Sequence, residues 1–105
     1  MPDSLGVLPP ALDVADRTLV EQAGRYLRQQ GAVRVWLFGS LAKGQPPTVH
    51  SDFDFAVEGL PSERFLGCLG HLLQALPRPV DLVEMESCQP CIRQRILEGG
   101  ILLVS

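Results

Sequence analysis

The sequence predicts a single-domain α/β fold of the α+β kind, in which a mixed, twisted β-sheet is covered by helices mainly on one side. At 105 residues, with 46% hydrophobic and 20% charged residues, the chain is long enough for one core and too short for two. Short apolar runs alternate with longer segments whose apolar residues recur at helical spacing. One short run also contains Asp52 and Asp54, although acidic side chains are rare in apolar strands unless their charge is compensated.

The predicted elements follow the order α-β-turn-β-α-β-α-β. Residues 1–13 are rich in proline and predict a flexible N-terminal lead-in, so the domain proper is expected to span residues 14–105. Apolar residues at helical spacing over residues 14–30 predict the first helix, with Asp13 or Asp16 as its N-terminal cap.

The remaining elements follow from the same two periodicities. The first strand is a nearly continuous apolar run, which indicates burial on both faces. Glycine and proline separate the elements from one another. They are a strand over residues 33–38, a strand over 53–58, an amphipathic helix over 62–76, a strand over 80–85, a helix from 87 or 89 to 98, and a strand over 101–104.

Charge and composition exclude several function classes. The net charge of −3 and the isoelectric point near 5.2 leave no basic footprint, so direct nucleic-acid binding is not expected. No apolar run reaches membrane-spanning length, and the N-terminus lacks the features of a signal peptide. The odd number of cysteines, three, argues against a disulfide framework and favours a reducing compartment, and therefore the cytoplasm.

The acidic pair in the second strand predicts a metal site. Side chains alternate across a strand, so Asp52 and Asp54 share one face, with Cα atoms roughly 7 Å apart. Two carboxylates at this separation favour a cation between them, and Mg²⁺ prefers such oxygen ligands together with substrate phosphates. If the strand that carries Asp81 lies beside them, the three carboxylates could hold two metal ions, the arrangement used for in-line displacement at phosphorus.

The turn after the first strand predicts a phosphate-binding segment. Gly39 leads from a strand towards a helical turn, where backbone N–H groups can bind phosphate oxygens, and the Ser40 hydroxyl adds a donor. Lys43 lies one turn further along. The stretch is not a Walker A loop, because Gln45 and Pro46 stand where that motif has lysine and serine or threonine.

The combined pattern resembles the minimal nucleotidyltransferase (MNT) family of the polymerase-β-type nucleotidyltransferase superfamily. The residues that carry the resemblance are Gly39-Ser40, the DFD sequence of residues 52–54 after eleven intervening residues, and the later VDLVE of residues 80–84. The resemblance implies Mg²⁺-dependent transfer of a nucleotidyl group, AMP from ATP, to a hydroxyl. It also implies roles for single residues. Gly39 and Ser40 would contact the triphosphate, Asp52 and Asp54 would bind two metal ions, and Asp81 would bind one of them and help to activate the acceptor.

The resemblance also implies a partner, since small members of this family pair as antitoxins with HEPN-domain proteins and can adenylylate a partner tyrosine. The sequence departs from the family pattern in two places: the family usually has ten residues between Gly-Ser and the first aspartate, and commonly has arginine where this chain has Leu41. Both departures favour weaker triphosphate binding. Two alternatives therefore stay open: an inactive module that neutralises its partner by binding, and a small-molecule nucleotidyltransferase of the aminoglycoside-modifying kind that works as a homo-oligomer.

Other residue groups suggest competing sites. Cys88 and Cys91 form a C-x-x-C at a predicted helix start, as in thioredoxin-like redox proteins, but too little chain follows to complete such a fold. The same pair with Cys68 and His71 resembles a set of four zinc ligands, although the simpler interpretation is a core cysteine and a surface histidine. His50 lies in the loop before the aspartates and is expected to be solvated.

Overall fold

The predicted order of elements is confirmed. A computed structural model describes Leu8 and residues 14–39, 41–42 and 52–104. The predicted lead-in therefore lies outside the described residues except for Leu8, which packs against the core. The elements are α1 (Val14–Gln29), β1 (Arg34–Phe38), β2 (Phe53–Glu58), α2 (Ser62–Ala75), β3 (Val80–Glu84), α3 (Pro90–Gly99) and β4 (Ile101–Val104).

The four described strands form one mixed sheet in the order β3-β2-β1-β4. Strand β1 is antiparallel to β2 and to β4, whereas β2 is parallel to β3. A parallel neighbour requires a crossover connection, which α2 provides. The strand that carries Asp81 is thereby placed directly beside the strand that carries Asp54.

One face of the sheet packs against α1 and α2. Because side chains alternate along a strand, Val35 and Leu37 of β1 point to this face. The helices contribute the apolar residues that recur at i, i+3 and i+4. The fully or almost fully buried residues of this first core include Val20, Ala23, Leu27, Val35, Leu37, Phe53, Phe55, Val57, Cys68 and Leu72.

The other face packs against α3 and forms a second, smaller core. Trp36, Ala56, Met85 and Ile96 are buried there. Trp36 alternates with Val35 and Leu37, so β1 is buried on both faces, as its apolar run predicts. Two of the three described helices lie on one side of the sheet, and α3 lies on the opposite side.

A largely buried ion pair ties α1 to the connection between α2 and β3. Arg78 Nη2 donates to Asp16 Oδ2 at 2.8 Å, and the Arg78 guanidinium lies 4.7 Å from the ring centre of Phe53. Asp13, one of the two predicted caps of α1, lies outside the described residues. The other, Asp16, stands in the first turn of the helix and not before it, so its prediction as the cap is wrong. Its partner is a distant arginine, which periodicity along one helix does not reveal.

No described helix combines the length and apolar character needed to span a bilayer.

Candidate active site

Asp54 and Asp81 face each other on neighbouring strands. They are partners in the parallel register of β2 and β3, so their side chains project from the same face of the sheet. This face is the one covered by α3, because Asp54 and Ala56 are two residues apart on β2. Asp52 lies just before β2 and is exposed. The structure thus brings together the two aspartates that lie far apart in the sequence.

Asp81 and Asp52 lie close enough to Asp54 for their charges to affect its ionisation. Partial burial, the charge of Asp81 and the charge of Asp52, in that order of size, together raise the pKa of Asp54 from 3.8 to about 6. Neighbouring like charges destabilise the folded protein, and a divalent cation between the carboxylates would relieve their repulsion.

The carboxylates fit Mg²⁺ better than a metal that needs a complete protein cage. Within residues 14–39, 41–42 and 52–104, no three His, Cys, Asp or Glu side chains form a ready-made metal site. Mg²⁺ typically takes one or two carboxylates and fills its other positions with water and substrate phosphates. Asp54 and Asp81 are placed to supply such a partial set of ligands.

Gly39 lies directly against the Asp54 carboxylate. It follows Phe38, the register partner of Asp54, and its φ of 79° lies in the left-handed region that favours glycine. A Cβ at this position would collide with Asp54 Oδ2 and lie 3.1 Å from Asp54 Cγ. The predicted phosphate-binding turn and the predicted metal ligands therefore meet at one end of β1 and β2. Ser40 and Lys43, the other predicted nucleotide-binding residues, lie outside the described residues, as does His50.

A cavity of about 350 Å³ opens between the sheet and α3 at this point. Its polar end is formed by Gly39, Asp54 and Asp81, and one wall is apolar. This volume lies in the lower part of the range for small-molecule sites. The apolar residues of its wall are Phe38, Val83 and Ile92.

One face of α3 completes the cavity through Ile92, Arg95 and Gly99, which follow each other at helical spacing. Arginine on a surface helix most simply balances charge, so the sequence pattern alone does not single out Arg95 as a site residue. The available signal is its position one turn after Ile92, an apolar residue of the same helix.

Leu41 stands where the resembled family commonly has arginine, and the structure shows where this position points. Leu41 is 1% exposed and packs in the first core, beneath the sheet face opposite Asp54. Position 41 therefore supplies apolar packing to the fold and no positive charge to the cavity.

The four residues of the competing zinc hypothesis are not brought together. Cys68 is buried in the first core, whereas Cys88 and Cys91 flank the start of α3 on the other side of the sheet; all three are free thiols. His71 is exposed and stacks on Tyr26, with ring centres 3.9 Å apart. The zinc hypothesis, which needs these side chains in one place, is not supported by this arrangement.

Solved structures of known proteins share this fold. A candidate minimal nucleotidyltransferase is 28% identical, with a TM-score of 0.68 over 81% of this chain and 89% of that one. A chain of a toxin–antitoxin complex with AMP-PNP is also 28% identical, with a TM-score of 0.68 over 79% and 71% of the two chains. A structure of a tri-AMPylated HEPN toxin from Shewanella oneidensis with an MNT antitoxin contains a chain that is 24% identical, with a TM-score of 0.65 over 83% and 70%.

Family membership follows from the sequence comparison. A search of curated proteins gives no match. In contrast, the family described as "Polymerase beta, Nucleotidyltransferase" matches residues 21–105, a stretch that includes Gly39, Asp54, Asp81 and the whole sheet. The chain therefore belongs to the polymerase-β-type nucleotidyltransferase family.

Proposed function

We propose that this protein is a Mg²⁺-dependent nucleotidyltransferase that transfers AMP from ATP to a hydroxyl of a HEPN-family partner, and that it acts as the antitoxin of that pair. The observation that carries the proposal is the placement of Asp54 opposite Asp81, beside the Gly39 turn, at one end of a cavity. Carboxylates beside a glycine turn are the groups that a metal-bound triphosphate requires.

The reaction would form a bond between the acceptor oxygen and the α-phosphorus of ATP, break the bond to the β-phosphate and release pyrophosphate. Asp54 and Asp81, with the exposed Asp52 that precedes β2, would hold two Mg²⁺ ions. Bound there, Mg²⁺ supplies Lewis-acid stabilisation of the charge on the transferring group. Asp81 is exposed at the cavity edge, where its carboxylate can accept the proton of an entering hydroxyl. Because Gly39 has no side chain, its backbone can lie against the Asp54 carboxylate, and the N–H groups of this turn would bind the nucleotide phosphates beside the carboxylates.

Support for the nucleotide and the partner comes from the similar structures. One was determined with AMP-PNP, and another contains an AMPylated HEPN toxin bound to an MNT antitoxin. By analogy with that complex, a partner protein is the proposed source of the acceptor hydroxyl.

A second candidate function is neutralisation of the partner by binding alone. Burial of Leu41 favours it, because position 41 offers the triphosphate no cation. The small-molecule acceptor suggested by the sequence is not favoured by any described feature, and it remains a distinguishable outcome of the experiment below.

The experiment compares ATP labelled at the α-phosphate with ATP labelled at the γ-phosphate, in Mg²⁺, with and without the product of the adjacent gene. We expect wild type to transfer only the α-label to the partner, while Asp54→Asn and Asp81→Asn transfer none. Glu21→Gln, an exposed carboxylate change on α1, is the matched control and should retain transfer. Absence of transfer by wild type would contradict the enzyme proposal. Label on a small molecule alone would favour the small-molecule nucleotidyltransferase.

A further inference from the structure

Arg95 is the described cation that lines the same cavity as the two aspartates. It stands on α3, across the cavity from the strand end that carries Gly39 and Asp54. Position 41 contributes no charge there, since Leu41 is buried in the first core. Among the described lining residues, Arg95 is therefore the one positive charge that faces Asp54 and Asp81.

Arg95 does not neutralise these aspartates directly. The two ion pairs of the described residues are Arg34 with Glu58 and Arg78 with Asp16, and neither involves Arg95. When an arginine and two carboxylates line one cavity without forming an ion pair, the guanidinium and the carboxylates are separated by more than ion-pair distance. A metal-bound anion fits such a gap, because its cation meets the carboxylates and its oxygens meet the guanidinium.

The chemistry of guanidinium narrows the choice of anion. Its planar fork of donors matches two oxygens of one phosphate or of adjacent phosphates. The rest of the cavity wall beside Arg95, formed by Phe38, Val83 and Ile92, suits an apolar ring such as a base. A nucleotide presents both kinds of group at once.

We propose that Arg95 is a substrate-binding residue that contacts the phosphate chain of the nucleotide from α3, opposite the Gly39 turn. This inference rests on the proposed function, because it assumes that a metal-bound triphosphate enters the cavity. Arg95 thereby sets the affinity for the triphosphate and keeps the α-phosphate at the carboxylate end, without taking part in proton transfer.

The test measures binding of a non-cleavable ATP analogue, with a methylene group between the α- and β-phosphates, in excess Mg²⁺. The variants are Arg95→Gln, Arg95→Lys and, as a control for loss of charge on the same helix, Arg93→Gln. Arg93 is exposed and donates to the Met85 carbonyl, outside the cavity lining. Thermal unfolding of each variant verifies that it remains folded.

We expect Arg95→Gln to weaken binding of the analogue by about tenfold or more, which is the usual effect of losing a charge-assisted hydrogen bond. Arg95→Lys should recover part of the lost affinity. Arg93→Gln should change the affinity for the analogue by no more than about twofold. Competition by adenosine alone should be the same for wild type and Arg95→Gln, since adenosine has no phosphate.

Four results would overturn the inference. If wild type binds the analogue and transfers AMP, and Arg95→Gln binds the analogue equally well, then Arg95 does not bind the nucleotide and the proposed function stays intact. An equal loss of affinity for adenosine and for the analogue would show that Arg95 contacts the base and not the phosphates. A change confined to the KM for the partner protein would place it on the acceptor. If wild type neither binds the analogue nor transfers AMP, the inference and the proposed function fail together.

Discussion

Asp54 lies half-buried on β2, in register with Asp81 on β3, with the Gly39 backbone packed against its carboxylate. Burial and two neighbouring carboxylates all disfavour its ionised form. The folded protein therefore holds a charge arrangement that is unfavourable without a cation. Such conflicts between stability and charge are common where a protein binds metal or substrate.

The first prediction concerns the pH dependence of stability in a chelator. Folding raises the pKa of Asp54 from 3.8 to about 6, so its protonated form favours folding fully below about pH 3.8, and this contribution is lost as the pH rises through about 6. At full strength the shift is worth about 3 kcal/mol, and partial exposure reduces this to about 1 kcal/mol.

Urea unfolding at pH 5 and pH 7.5 measures this effect. Asp54→Asn should be more stable than wild type at pH 7.5 by about 1 kcal/mol, and the difference should shrink at pH 5. Glu21→Gln, on exposed α1 surface, should show no such pattern. Identical pH profiles for wild type and Asp54→Asn would contradict the account of this carboxylate.

The second prediction concerns Gly39→Ala. The new Cβ would collide with Asp54 Oδ2 and impose a positive φ on alanine, so we expect a loss of stability of about 1–3 kcal/mol. Mg²⁺-dependent nucleotide binding should also be lost, because the carboxylate must move. Gly67→Ala on α2, where a Cβ meets open space, is the control and should be stabilising by about 0.5–1 kcal/mol. Normal binding by Gly39→Ala would show that this contact does not position the site.

At the residue level, the sequence singles out Asp54, Asp81 and Gly39 as candidate site residues because each breaks the composition around it. A charge inside an apolar strand and a glycine at a strand end are both visible without a fold. Arg95 shows no such contrast. Arginine is ordinary on an amphipathic helix, and its importance depends on which surface the helix covers.

Helix α3 forms one side of the cavity that has Asp54 and Asp81 at its polar end. It is attached to the sheet by Ile96, which is fully buried in the second core. The chain then passes directly into β4 through Gly100, where a Cβ would lie 2.5 Å from the Ile96 carbonyl oxygen. This close connection sets where Ile92 and Arg95 stand over the carboxylates.

The third prediction tests this anchoring with Ile96→Ala. Removing a fully buried side chain should cost about 2–4 kcal/mol of unfolding free energy, measured in urea. Nucleotide affinity should fall as well, because α3 carries Arg95. Leu97→Ala, at the next and exposed position, should change stability by no more than about 0.5 kcal/mol. Unchanged nucleotide affinity in a folded Ile96→Ala variant would show that α3 does not shape the site.

The elements themselves were predictable, and their placement was only partly so. Periods of two and of 3.6 residues identify strands and helices, and the amphipathic α2 is a clear example. Periodicity alone does not say that α3 covers the sheet face opposite α1 and α2. That choice depends on the handed crossover between β2 and β3 and on which face of β1 carries Trp36.

Over the whole molecule, the sheet separates two cores, and the site lies at the edge of the smaller one. The larger core is closed by the pair of Arg78 and Asp16, which joins α1 to the connection before β3. Arg78 also covers Phe53, the first residue of β2. This contact holds the start of the strand that carries Asp54.

The fourth prediction is that Arg78→Ala lowers the unfolding free energy by about 3 kcal/mol, because it leaves the Asp16 carboxylate almost buried and unpaired. Arg78→Met with Asp16→Leu should recover most of this loss, since Arg78 Nε is itself buried without a hydrogen-bond partner in the described structure. A double-mutant cycle by urea unfolding measures the coupling. Additive effects would show that the pair does not act as a unit.

We propose that this fold uses Asp54 and Asp81 to place AMP on a partner protein. The most direct measurement is the intact mass of the partner after co-expression with wild type or with Asp54→Asn. We predict that wild type adds one or more adenylyl groups to the partner and that Asp54→Asn adds none. An unmodified partner that wild type and Asp54→Asn neutralise equally well would contradict the claim and would leave binding alone as the function.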